Sequence, residues 1–396
     1  MERDADVVVV GAGPVGTALA LDLARRGRRV RLLEARASRP PGTRAIGVHP
    51  AGLAVLDGLG VAGEILAAGR RVRRGRAWGA AGPLGDLDLG ALPPPFDFVL
   101  TVPQPVTEAV LRSALARTHP GALELDARVD GLKQDPDGVT VFGRGADGAP
   151  RRWRAAAAIG CDGRDGVVRG ALGIGWRGGA YPDRFAMADL PDAGSGLAED
   201  EALIALHRAG VVEGFPLPGA VRRWVVRLGR HDGAPPDDPQ ALARWVAELV
   251  TQRTGRRPPP ELAGGASAFG VERWLADRFS VGRVALAGDA AHVVSPIGVQ
   301  GMNLGWLDGA AVAAALGSAW ATGEPRAPEL AAALAVAASH RRRAARRAIA
   351  RAAGNTSLGR PIGPLGAVLR DAVLARYLRP PWSGTALARF TMGGLA

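Results

Sequence analysis

Three glycines close to the N-terminus, Gly11, Gly13 and Gly16, stand in the spacing G-x-G-x-x-G, with Pro14 and Val15 between the last two. That spacing suits the binding of a pyrophosphate. The first glycine makes a tight turn, the second lets phosphate approach the backbone, and the third lets a helix pack closely on a sheet. A helix starting there offers free amides and the positive end of its dipole. Glu34 lies eighteen positions after Gly16 and is followed by Ala35 and Arg36. A carboxylate at that distance can hold a ribose hydroxyl. The pattern fits FAD and NAD alike. The bland alternative, a glycine-rich turn without a ligand, is disfavoured by the strand before it and the helix after it.

Two further segments could carry chemistry. In AIGCDGRDGVVRGALGI, residues 158–174, Asp162 and Gly163 form a DG pair. In GRVALAGDAAHVVSPIGVQGMNLGWLDGAAVAAAL, residues 282–316, Asp289 follows a strand-like run, where it could accept hydrogen bonds from a polyol chain. Pro296, Gly298 and Gly301 would then let the backbone lie against a flat ligand, and a helix beginning near Met302 aims its amides outward. A reduced flavin is anionic at N1 and the adjacent carbonyl, and a helix N-terminus would stabilise that charge. A structural loop between strand and helix is the alternative.

These residues need elements to position them. ADVVVV reads as a buried parallel strand, because its β-branched run does not alternate. TALALDLARRG repeats apolar residues at helical spacing and ends at Gly27, and RRVRLLEA is a second strand ending at Glu34. Together they make a βαβ unit of ordinary length. Residues 104–118 read as a helix that Thr107 could cap. ALELDARVDGLKQ and GVTVFGR read as strands joined by a turn at DPDG. Residues 180–230 read as several strands, ALARWVAELVTQRTG as a helix, and GRVALAGDA as another buried strand. Beyond about residue 325 the pattern is of helices separated by GNTSLGRPIGP.

The fold expected is α/β: a Rossmann-like dinucleotide-binding domain assembled from 1–72, 99–179 and 269–322, a sheet-rich substrate domain from 73–98 and 180–268, and a helical C-terminal segment over 323–396.

Composition narrows the classes. The chain has 396 residues, 47% of them hydrophobic and 22% charged, which excludes a largely disordered chain. Its single cysteine, Cys161, excludes an internal disulfide framework and a multi-thiolate metal site, and no metal is expected. No apolar run is long enough for a spanning helix. The N-terminus lacks the basic and apolar regions of a secretory signal, so a cytoplasmic location is expected. The net charge is +12, with Lys133 the only lysine among 50 basic residues. Arg, Ala, Gly and Pro share GC-rich codons, which explains the basicity without a nucleic-acid partner; no nucleic-acid module accompanies it. RRRAARRAIAR, residues 341–351, reads first as a solvated helix face. Attachment to an anionic membrane surface is its sharper, less favoured reading.

The three motif segments together resemble the FAD-dependent aromatic hydroxylases, flavoprotein monooxygenases of the p-hydroxybenzoate hydroxylase type, and within them the ubiquinone-biosynthesis hydroxylase branch and its single-component bacterial relatives. The resemblance covers most of residues 5–320, and GDAAH followed by SPIGVQGMNLGWLD is its most specific part. It implies that Gly11, Gly13, Pro14, Val15, Gly16, Glu34, Ala35 and Arg36 hold the ADP half of FAD. Arg44 would lie near the pyrophosphate, Gln104 would contact FAD, and Asp162 with Gly163 would serve FAD and NADPH. Asp289 would meet the ribityl-phosphate region and Pro296 the isoalloxazine. Gly298 would shape that loop, and Gly301, Met302 and Asn303 would offer backbone to the ring's pyrimidine edge.

Two departures stand out. Gly166 occupies a position that is usually serine, although Arg169 is retained. Val299 replaces the second of two adjacent glycines, where a β-branched residue disfavours positive φ. Longer relatives carry a thioredoxin-like domain for which the C-terminal segment is too short.

The activity implied is hydroxylation of a phenolic or polycyclic aromatic small molecule. NADPH or NADH reduces FAD, O2 adds to give a C4a-hydroperoxide, and one oxygen atom reaches the substrate. A role in antibiotic or other secondary metabolism fits the GC-rich composition. Because the cofactor carries the chemistry, no catalytic triad is expected. His49 and His207 are weak candidates for a substrate-side base, and His292 reads as structural. Phe185, Met187, Phe215 and Trp224 are candidate pocket walls and equally candidate core. Alternatives are an FAD-dependent reductase or dehydrogenase of a lipid-like or polycyclic substrate, or a non-catalytic flavin-binding protein. A flavin halogenase is disfavoured because W-x-W-x-I-P is absent.

Overall fold

The computed structural model describes residues 3–38, 45–296, 298–321 and 323–395; Arg44 lies outside them. Its first sheet grows around Ala5–Val10, buried on both faces as its unbroken valines require. Val30–Leu33 pairs with it in parallel on one side and Pro150–Gly160 on the other. Val284–Leu286 then pairs in parallel with Pro150–Gly160. The hairpin Arg128–Asp135 and Gly138–Arg144 joins antiparallel at the early part of Pro150–Gly160. The register aligns four strand ends: Val10 opposite Leu33 and Gly160, and Gly160 opposite Leu286. Gly11, Glu34, Cys161 and Ala287 therefore leave the sheet along one edge, where ligands of open α/β sheets bind.

The helix Pro14–Arg25 runs back from that edge and packs on Gly301–Ala319 and Gln104–Thr118. Contact between the first two is close because Gly305 lacks a side chain: a Cβ there would lie 2.4 Å from Val15 Cγ2. Gln104–Thr118 begins at Gln104, so Thr107 lies inside the helix and does not cap it.

The second sheet has eight strands in the order His292–Val293, Ala266–Ala276, Trp176–Pro191, Val221–Leu228, Gly210–Leu217, Glu201–His207, Arg74–Gly79, Gly82–Asp88. All its pairings are antiparallel except Glu201–His207 with Arg74–Gly79. It takes in residues 176–179 and 269–276, which the sequence reading placed with the cofactor segments. One face is covered by Pro239–Thr254, whose Leu242, Val246 and Val250 pack on Ala188, Trp224 and Val226. The other face turns towards the first sheet.

The long helix Ala327–Leu358 continues through Gly354, Asn355 and Thr356, where the sequence suggested a break. Burial overrides propensity there: Thr356 Oγ1 donates to the Ala352 carbonyl at 2.8 Å and sits in the interior. The arginine run is not simply a solvated face. Arg341 is 3% exposed and pairs with Asp308 at 2.9 Å, Arg342 donates to the Ala276 carbonyl, and Arg351 to that of Gly393. Arg343, Arg346 and Arg347 do face outward.

Candidate cofactor and substrate site

At the aligned strand ends, Gly11 takes φ +99° and turns the chain into the first helix. The turn admits no side chains: a Cβ on Gly11 would lie 2.4 Å from the Cys161 carbonyl oxygen, and one on Gly16 would lie 1.9 Å from that of Gly11. Gly13, by contrast, faces open space as the N-cap of Pro14–Arg25, whose first turn has no side-chain cap and no acid. The amide and dipole character of that terminus is thus left for a ligand. Glu34 is buried and accepts hydrogen bonds from the Ala12 amide at 3.0 Å and from Arg36 Nε at 2.9 Å.

A cavity of about 700 Å³ begins at this edge. Gly11, Gly13, Pro14, Val15, Glu34, Ala35 and Arg36 line its start. Gln104, Asp162, Gly163 and Asp289 line its middle, and Pro296, Gly301 and Met302 its far wall. Gly16, Gly298 and Asn303, expected as cofactor contacts, are not among the lining residues. Cys161 borders the cavity, but burial pushes its thiol up and keeps it unreactive.

Asp162 turns back on its own loop, its Oδ2 accepting from the Val168 amide at 2.9 Å. It can do so because position 166 is glycine: a Cβ there would lie 2.1 Å from Asp162 Cγ. Burial raises the Asp162 carboxyl above its usual range, against the opposing amide bonds. Asp289 is open to the cavity yet ringed by protein, and the resulting desolvation raises it as well. Arg169 is occupied structurally, donating to the carbonyls of Ala290 and Arg164 and lying 3.9 Å over the Trp176 ring.

The loop before Gly301–Ala319 carries a surprise. Val299 adopts φ +56°, the left-handed conformation a β-branched residue avoids. Several bonds hold it there. Asn303 Nδ2 donates to the carbonyls of Val299 and Gly47, both at 3.0 Å, and the His49 amide donates to Asn303 Oδ1 at 2.8 Å. His49 Nε2 reaches the Gly298 carbonyl at 2.9 Å, so that nitrogen carries the proton. Burial lowers His49 to about 4, and it stays neutral. His49 thus ties the loop, and because it is not among the residues that line the cavity it is not placed as a substrate-side base. His207 lies away from the cavity, its Nδ1 accepting from the Ala209 amide.

The cavity ends on the second sheet. Period-two alternation and the pairings Met187–Val225–Glu213 and Arg223–Phe215 place these five side chains on one face, and all five line the cavity with Phe269. Phe185 shares the face but lies beneath the surface, 1% exposed. Trp224 is on the opposite face, packed under Pro239–Thr254, and is core. Glu213 was not singled out from the sequence. An acid between Val212 and Phe215 in a strand-like run was the available signal. It is 7% exposed, and burial raises it to about 7. Gln300 was also passed over. It is fully buried at the cavity wall, and among the described residues neither side-chain polar atom has a partner.

Below the loop, His292 Nε2 meets Asp308 Oδ2 at 2.6 Å, and Asp308 also accepts from Arg341. Burial alone would raise Asp308, but His292 and Arg341 outweigh it and hold the carboxyl below its usual range. His292 is structural, as its sequence context suggested. Among the described residues no group of His, Cys, Asp and Glu could hold a metal, and no helix is long and apolar enough to cross a membrane.

The site fits FAD. The glycine turn and uncapped helix suit a pyrophosphate, and Asp162 Oδ1 and the Gln300 amide, which have no partner among the described residues, can take polar atoms of a ligand. The helix Gly301–Ala319 likewise opens on the cavity without a side-chain cap or an acid in its first turn. The chain belongs to the FAD binding domain family, whose model matches residues 4–352. An anhydrotetracycline monooxygenase of Streptomyces rimosus is 34% identical over 350 residues, which cover 82% of this chain and 64% of that protein. The chain thus spans just under two thirds of that curated relative. An anhydrotetracycline hydroxylase structure from Streptomyces rimosus superposes with a TM-score of 0.77 at 28% identity, covering 98% of this chain and 75% of that one. A p-nitrophenol 4-monooxygenase from Pseudomonas putida DLL-E4 superposes with a TM-score of 0.86, covering 100% and 99%. Its identity of 24% speaks for the fold alone.

Proposed function

We propose that this protein is an FAD-dependent monooxygenase that uses NAD(P)H and O2 to hydroxylate a phenolic or polycyclic aromatic molecule. The observation that carries the reading is the continuity of the cavity, from the phosphate-binding turn to an apolar sheet face that includes Met187, Phe215 and Phe269. The names of its relatives support the same class of substrate. Segments 1–72, 99–175 and 277–322 would form the cofactor domain and 73–98 with 176–276, which includes most of the second sheet, the substrate domain, in a cytoplasmic enzyme.

Bound FAD would supply the redox and oxygen-activating chemistry. The protein's own residues bind, orient and exclude. Gly11, Gly13 and the amides after them hold the pyrophosphate, and Glu34 holds the ribose once Arg36 yields. Asp162 and Asp289 meet the central polyol. Gly301 and Met302 would offer backbone amides to the bound flavin, and the dipole of Gly301–Ala319 would favour negative charge there. Met187, Phe215, Val225 and Phe269 would keep water from the reacting end of the cavity.

The test uses purified protein reconstituted with FAD. Its visible spectrum is recorded, and NADPH oxidation in air is followed with a panel of phenols and polycyclic quinols while peroxide is assayed. Substrate-stimulated oxidation with little peroxide is expected. A protein that takes up no FAD would refute the reading.

A further inference from the structure

The cavity wall beyond the cofactor segments is apolar except at Glu213 and Arg223, and the two differ in a way that matters. Arg223 is committed: its Nε and Nη2 reach both oxygens of Asp189 at 2.6 and 2.8 Å. Arg227, the other cation on that sheet face next to Glu213, is committed to Asp183. The opposite neighbour strand offers Ile204 directly across and Ala202 and Leu206 beside it, with no charge. Among the described residues, no side chain or amide bonds to the Glu213 carboxylate. A buried, unpartnered carboxylate is costly unless a ligand satisfies it.

We propose that Glu213 is the proton acceptor for the substrate: its carboxylate takes the proton of an acidic aromatic hydroxyl seated against Met187, Phe215, Val225 and Phe269, so that the ring reacts as its phenolate. The later oxygen transfer rests on the monooxygenase reading, whereas the proton transfer itself does not. The substrate O–H bond breaks, its electron pair stays on the ring oxygen, and a new O–H bond forms on Glu213. The ring gains electron density where oxygen is to be delivered; the carbon that takes the oxygen gives up its own proton to the water formed from the second oxygen atom, the ring regains its aromaticity, and Glu213 returns its proton to the original ring oxygen. The environment suits the task. Desolvation makes the carboxylate a stronger base and brings it close to neutral pH, where a general base is most effective. The chemistry also narrows the substrate class: an aromatic with a hydroxyl on the edge that enters the sheet end, and not a plain arene or an aromatic carboxylate, whose negative charge would face Glu213.

The test uses the FAD-loaded protein without NADPH and alizarin as probe, because ionised alizarin absorbs beyond the flavin bands. Spectra are taken from pH 5.5 to 9. Wild type should bind alizarin with its ionisation midpoint lowered by about one pH unit or more. E213Q should lose that shift while retaining the fold, and E213D should recover part of it. Equal ionisation in wild type and E213Q overturns the proposal, as does a wild-type protein that leaves the alizarin spectrum unchanged. With any stimulating phenol, the acid limb of the kcat profile near neutral pH should vanish in E213Q. Alizarin ionisation without substrate-stimulated NADPH oxidation would instead refute the monooxygenase reading and leave Glu213 as the acceptor.

Discussion

Gly47 and Val299 fit together as a complementary pair. Val299 brings a branched side chain to a loop position that demands positive φ, and the missing side chain of Gly47 makes room for it: a Cβ on Gly47 would lie 2.6 Å from Val299 Cγ1. The carbonyls of both residues accept from Asn303 Nδ2. The conformation is thus over-determined from outside the loop, which is how a strained residue persists. G47A should destabilise the protein by about 1–3 kcal/mol through overpacking. In a V299G background the same change should cost far less, because the atoms it would meet are gone; V299G by itself should relieve left-handed strain of roughly 1–2 kcal/mol. Urea unfolding of the two single variants and the double variant measures the coupling; additive effects would show that the pair does not interact.

Asp162 and Gly166 form a second such pair. Asp162 caps the short helix Val167–Ala171 only because Gly166 has no side chain. D162A should cost about 1 kcal/mol, the ordinary worth of a cap. D162A/G166S should recover most of it, since a serine at the N-cap supplies its own hydroxyl. Thermal unfolding of the three proteins decides; no recovery in the double variant would contradict the capping assignment.

The buried cluster of His292, Asp308 and Arg341 ties the loop after Asp289 to the long C-terminal helix. D308A leaves the 3%-exposed Arg341 without its carboxylate, and breaking a buried pair in this way costs about 3–5 kcal/mol. Chemical denaturation should show that loss at neutral pH. A loss under about 1 kcal/mol would mean that water reaches Arg341.

Two groups give stability opposite pH dependences. Glu213 rises from 4.5 to about 7 on folding, so the fold favours its neutral form. That contribution is full below about pH 4.5 and is lost as pH rises through 7. E213Q should therefore match wild type near pH 5 and exceed it at pH 8, by at most about 3 kcal/mol. His49 falls from 6.5 to about 4, so its contribution is present above pH 6.5 and is lost as pH falls through 4. H49Q should flatten that acid limb. Unfolding free energies from pH 4 to 8 test both signs.

The cofactor half was legible in the sequence because its signals are local. A buried strand, a glycine turn, a helix and a terminal acid fall within residues 5–34, and the structure keeps that order. The second sheet was not, because its faces are set by tertiary pairing. VRRWVVRL presents Arg222, Trp224 and Val226 on one face and Arg223, Val225 and Arg227 on the other. Both sets mix charge with apolar bulk, and only the helix Pro239–Thr254 decides that Trp224 is core. His49 invited a catalytic reading as a polar residue near the motifs. Its true partner, the Gly298 carbonyl, lies 249 positions away, and no local pattern announces it. The extension of the last long helix through Asn355 and Thr356 likewise depends on burial that composition does not reveal.

The central claim is that one atom of O2 enters an aromatic ring at the sheet end of this cavity. The most direct measurement gives the FAD-loaded protein NADPH, oxygen-18 gas and the first panel member that stimulates NADPH oxidation, and then weighs the product. A hydroxylated product carrying one heavy oxygen is expected. A product whose oxygen comes from water, or NADPH oxidation that yields only peroxide with every panel member, would contradict it.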